Sequence, residues 1–121
     1  MKKIYKKPFV QIRKNGDQSV NEVSKIFKAS ENMLLREIAG EHLLIPVGEI
    51  AMSVHGMISL SESGLLLWKK LQQECLETDL VDCILNEYDI DRETAAADVH
   101  EFLEKIKNIG IIEVRNIEGE Y

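Results

Sequence analysis

The feature that most restricts the fold is residues 54–72, VHGMISLSESGLLLWKKLQ. A turn signal at His55-Gly56 leads into four residues suited to a strand, 57–60. These run without a linker into the most apolar helical segment of the chain. Ser61 suits the N-cap between them, because its hydroxyl can accept a hydrogen bond from the first helical turn. Leu67, Trp68 and Leu71 then share one helix face, which Leu65 and Leu66 widen. A junction this tight fixes the angle at which a sheet meets a helix.

The neighbouring segments supply the rest of both layers. MLLREIA and HLLIPVG are β-suited runs separated by Gly40-Glu41, which predicts an antiparallel hairpin. Pro46 ends its regular pairing or lies at an edge. Residues 57–60 are the third strand, with Ile58 and Leu60 on one face. Thr78 is the expected cap of DLVDCILNEY, whose buried stripe is Leu80, Val81, Ile84, Leu85 and Tyr88. Asp91 caps a third helix, in which Ala95, Val99, Phe102, Leu103 and Ile106 recur at helical intervals and Gly110 is the stop. IIEV, at 111–114, adds a short strand or packs on the body. The order β-β-β-α-α-α predicts an α+β, winged-helix-like fold: a three-stranded antiparallel sheet followed by a three-helix bundle.

The first 32 residues differ in kind, so the chain divides into an N-terminal arm, 1–32, and a body, 33–121. Residues 1–30 carry eight Lys and Arg against Asp17 and Glu22, a net +6, which leaves −12 on residues 31–121. A basic arm on an acidic body is either a solvated tail or a segment docked on an acidic surface, its own or a partner's. Screening over about 8 Å at physiological salt requires such an arm to lie close. Within it, YKKPFVQI suits an extended strand, KNGDQS a turn, and VNEVSKIFKAS a short helix or a connector. No apolar run has the length to span a bilayer and the N-terminus lacks the apolar centre of a signal peptide, so a cytoplasmic location is expected.

Catalysis is poorly supplied. His42, His55 and His100 lie in different elements, and His100 with Glu104 is one ligand short of an ordinary zinc site, so no metal and no cofactor is expected. There is no HExxH, GxSxG or phosphate-binding loop. Cys75 and Cys83 fit neither a disulfide framework nor a CxxC site, and on a helix they are small apolar fillers. Nucleic acid is disfavoured too. The third helix sets Arg92, Lys105 and Lys107 against Asp91, Glu93, Asp98, Glu101 and Glu104, so phosphates would be repelled.

Binding by strand addition remains. Residues 57–60 contain no charge and no proline to discourage pairing at a sheet edge. A visiting peptide would gain backbone hydrogen bonds there and place alternate side chains in a groove beside the third helix. The alternative is an edge closed by the chain's own segments.

The segments REIAGEHLLIPVG, GMISLSESGLLLW and YDIDRETAAADVHEFLEKI, in this order and spacing, resemble the PqqD family over residues 33–113. The resemblance implies a non-catalytic element that binds the leader of a ribosomally made precursor peptide as an added strand. The leader is then presented to a modifying enzyme, typically a radical SAM protein. Carried onto this chain, the strand is Met57, Ile58, Ser59 and Leu60, and the helix wall is Ala95, Asp98, Val99, Phe102 and Lys105. His55 stands where relatives often have Asn. The arm is the departure, and its YKKPFV is similar to the Tyr-x-x-Pro-x-aliphatic pattern of leaders read by related domains. Tyr5, Pro8 and Val10 are therefore candidate occupants of the groove, in the same or a neighbouring molecule. Readings from other classes are a winged-helix DNA-binding regulator acting through its arm, and a dimerisation module whose edge strand pairs with a twin.

Overall fold

The computed structural model describes residues 2–8, 25–54 and 56–117. It is an α+β structure of two small antiparallel sheets and three helices. In chain order the elements are β1 (Lys25–Ala29), β2 (Met33–Ile38), β3 (Glu41–Pro46), a 3₁₀ turn (Gly48–Met52) and β4 (Ile58–Leu60). Then follow α1 (Glu62–Lys70), β5 (Cys75–Leu76), α2 (Glu77–Glu87), α3 (Arg92–Ile109) and β6 (Ile112–Asn116).

One sheet has the order β2-β3-β4. Its hairpin turns on Ala39 and Gly40, both in the left-handed region at φ 53° and 82°. That is the primed two-residue turn whose twist suits antiparallel strands. The turn lies one residue earlier than Gly40-Glu41, because Gly40 takes the second of the two positive-φ positions and Glu41 is left free to pair with Ile38. The resulting register aligns Leu35, Leu44 and Ile58 in one inward row, with Leu44 fully buried.

At the β4–α1 junction Ser61 caps the helix as expected, its Oγ accepting the Gly64 N–H at 3.1 Å. A Cβ at Gly64 would make ordinary contacts, 3.4 Å from Cε1 of Phe102 and 3.6 Å from Cδ2 of Leu60, which places Phe102 of α3 and Leu60 of β4 together over the first turn of α1. α3 begins and ends at the residues expected, with Asp91 Oδ2 accepting the Thr94 N–H at 3.0 Å and Gly110 leaving the helix.

Three expectations are corrected. The simple sheet-then-bundle order is broken by a second sheet, β5-β1-β6. Its centre is β1, formed by residues that suited a short helix or a connector, and it pairs with β6 from Lys25↔Asn116 to Ala29↔Ile112. Burial of Phe27 and Ala29 on one face accounts for it. The cap of α2 is Leu76, not Thr78. β5 holds Leu76 extended against Ile26, and Asp79 Oδ2 reaches back to accept the Leu76 N–H at 2.9 Å. Cys75 accordingly sits on a strand rather than a helix turn. The turn expected at 14–19 and His55 lie outside the described residues.

Two stability predictions follow from these positions. Ala39→Asn, which installs the Asn-Gly pair the turn prefers, is expected to raise stability by about 0.5–1 kcal/mol in urea denaturation. Phe102 is 1 % exposed, so Phe102→Ala is expected to lower it by about 3–5 kcal/mol in the same assay.

Candidate functional site

The hairpin register determines what β4 presents to solvent. A two-residue turn closes on a hydrogen-bonded pair, here Ile38 and Glu41, and the ladder alternates from there. Glu41, Leu43 and Ile45 therefore bond toward β2, while His42 and Leu44 bond toward β4. Their partners are Leu60 and Ile58. Both residues thus direct N–H and C=O inward, and Ser59 between them directs both outward. Among the described residues β4 pairs with β3 alone, so the Ser59 groups lie on an unpaired edge. The side chains alternate in the same way: Ile58 and Leu60 are buried, Ser59 is half-buried, and Met57 just ahead is exposed.

The α3 residues separate into a buried and a half-buried set. Ala95, Val99 and Phe102 belong to the buried core, with Phe102 reaching the Gly64 and Leu60 end of β4. Asp98 and Lys105 are half-buried on the surface side. Glu101 lies between them in sequence and on the same face, its two oxygens holding Lys7 at 2.8 Å and Lys105 at 3.2 Å. Sequence reasoning passed over Glu101, although its spacing from Asp98 and Lys105 places it on their face.

Residues 2–8 lie against this acidic face. The Tyr5 hydroxyl donates to Asp98 Oδ2 at 2.8 Å, and its ring meets Tyr88 edge-on at 5.5 Å. Burial, reinforced by the Asp98 carboxylate, holds the Tyr5 phenol well above its ordinary pKa. The Ser63 hydroxyl donates to the Lys6 carbonyl at 2.7 Å. Lys3 bridges Tyr88 through two backbone bonds, its N–H to Glu87 O at 2.9 Å and the Asp89 N–H to its own O at 3.0 Å. Pro8 is buried, and Val10 lies outside the described residues.

Other candidate chemistry is absorbed structurally. His100 Nδ1 meets Glu77 Oε2 at 3.0 Å, and no group of three or more potential metal ligands occurs among the described residues. Cys75 is buried, which pushes its thiol up to about 11, and such a thiol holds little nucleophilic thiolate at neutral pH. No helix among the described residues is long and apolar enough to cross a membrane.

Fold and site together define a small α+β domain in which, among the described residues, the outer edge of β4 is unpaired and α3 carries an acidic face. Residues 41–112, more than half of the chain, match the family model of coenzyme PQQ synthesis protein D (PqqD), and the chain belongs to that family. The match runs from the first residue of β3 to the first of β6, leaving out the arm, β1 and β2. No curated protein and no solved structure matches the chain.

The ion pair at the wall has a defined pH window. Hydrogen bonding to Lys7 holds the Glu101 carboxyl below its ordinary 4.5, and the same bond holds the Lys7 ammonium above its ordinary 10.5. The pair therefore contributes fully between these two ordinary values. Its contribution is lost as pH falls through the depressed Glu101 value or rises through the raised Lys7 value. NMR titration from pH 7 to pH 3 is expected to show the Tyr5 and Lys7 resonances moving together in the acid range.

Proposed function

We propose that this chain is a non-catalytic recognition element in peptide maturation. It takes up the leader of a ribosomally made precursor as a strand added to β4 and presents it to a modifying enzyme, of radical SAM type by family resemblance. The observation that carries this reading is the outward Ser59 N–H and C=O on a sheet edge unpaired among the described residues. An added strand would bond there, with its side chains falling toward Asp98 and Lys105 on the wall and Phe102 on the floor. In this reading the β2–β3 hairpin is the wing of a winged-helix-like domain, flanked by the three helices. Several edge hydrogen bonds at about 1 kcal/mol each, with two apolar anchors and less the ordering of the peptide, support roughly micromolar affinity, about −8 kcal/mol.

The acidic helix face argues against a nucleic-acid role for the same surface. Lys7, a cation of the described arm, is already engaged by Glu101, so phosphate would have to compete with carboxylates for it.

The register selects the decisive substitution. Ser59→Pro removes a donor that β3 does not use, so the fold tolerates it at an edge. It is expected to weaken binding of a synthetic precursor leader peptide by tenfold or more in fluorescence anisotropy, with little change in melting temperature. Ile58→Pro instead strips a β3–β4 bond and lowers the melting temperature. Full leader affinity in a folded Ser59→Pro variant would place the site elsewhere.

A further inference from the structure

We propose that the acidic face formed by α1, α2 and α3 is a docking site for an extended basic segment, and that residues 2–8 fill it as a displaceable internal ligand competing with an incoming leader. The competition rests on the function proposed above; the docking stands on its own contacts.

Those contacts are of the kinds a visiting peptide makes. Two backbone bonds tie Lys3 to Glu87 and Asp89, and Lys2 Nζ donates to the Leu85 carbonyl at 2.7 Å. One aromatic anchor, Tyr5, is held by Tyr88 and Asp98. Two cations form ion pairs: Lys7 lies 2.8 Å from Glu101 and 4.0 Å from Asp98, and Lys3 lies 3.7 Å from Glu87. Ser63, only 1 % exposed, turns its hydroxyl to the Lys6 carbonyl, so a buried donor of the body is satisfied by the arm. Ile4, by contrast, is 85 % exposed and contributes nothing to the seat.

Every one of these partners lies within residues 41–112, the segment matching the family, whereas residues 2–8 lie outside it. The body thus carries a surface complementary to a peptide that is not part of the family domain. The seat also adjoins the proposed leader path. Ser63 is three residues beyond Leu60, the last residue of β4, and Asp98 and Glu101 share the face that carries Lys105.

Tethering makes the competition strong. A linked segment acts at an effective concentration of order 1 mM, so contacts worth about 10 μM between separate molecules keep the seat filled roughly 100-fold more often than empty. A leader that needs the same face has its apparent affinity lowered by about that factor.

The test keeps the chain at full length and frees the arm with Tyr5→Ala and Lys7→Glu together. A fluorescent synthetic peptide of residues 1–8 is titrated into the unaltered chain and the released variant, followed by anisotropy at low salt. At least tenfold tighter binding to the variant is expected, lost again when Asp98→Asn and Glu101→Gln are added. Amide exchange at Lys3 and Asp89 is expected to be slow in the unaltered chain and fast in the variant. Should the double variant fail to fold, Lys7→Glu alone is expected to show the same direction in both measurements. No binding of the arm peptide to a folded variant overturns the docking site. A precursor leader that binds both chains equally overturns the competition while sustaining the proposed function. An arm peptide that prefers the variant when the leader binds neither chain supports the docking site and removes the leader reading.

Discussion

Register is the constraint on which the rest of this structure depends. Because Ala39 and Gly40 both accept positive φ, the hairpin closes on Ile38 and Glu41, and the alternation of bonded pairs is then settled across three strands. A slip of one residue would exchange the inward and outward groups of the ladder and turn Met33 and Leu35 away from the core. The same alternation that buries Ile58 and Leu60 leaves Ser59 facing outward with both of its backbone groups. Core packing and an edge unpaired among the described residues are thus two consequences of one turn.

What could be read from the sequence was what is decided locally. Ser61, Asp91 and Gly110 punctuate α1 and α3 where their chemistry says they should, since capping is a contact between residues three or four apart. The second sheet was not legible. β1 is held by β5 and β6, whose residues lie far along the chain, and KIFKA carries too little alternation to announce a strand. The start of α2 was displaced for a related reason: β5 needs Leu76 extended, and this long-range pairing overrides the local preference for Thr78 as a cap. A local signal loses when a tertiary pairing requires a different backbone.

The candidate site divides along the same line. Asp98 and Lys105 were candidates only through the family resemblance, because α3 carries charge along much of its length, whereas strand 57–60 was legible as an uncharged edge. Val99 and Phe102 were not separable into core and groove, because a helical stripe looks the same whichever neighbour covers it; the structure assigns both to the core. Ser63 gave no signal at all. A serine in the first turn of a helix is ordinary, and nothing local announces that its hydroxyl donates to the Lys6 carbonyl as well as meeting Ser61 Oγ at 3.4 Å.

Charge segregation joins these parts. An acidic body repels like charge, and Asp98 and Glu101, three residues apart on α3, carry part of that cost wherever no cation lies near. Lys7 relieves it at both carboxylates, and Lys105 relieves it at Glu101 from the other side. One of those cations belongs to the helix and stays in place. The other arrives on a segment outside the family-matched domain. Under the proposed function, such a face selects peptides by where they carry positive charge, while the edge of β4, unpaired among the described residues, pairs with any backbone that can extend beside it. Affinity from an edge that ignores sequence, combined with selection by a wall that reads charge, would then be a division of labour suited to recognising one segment among many of similar shape.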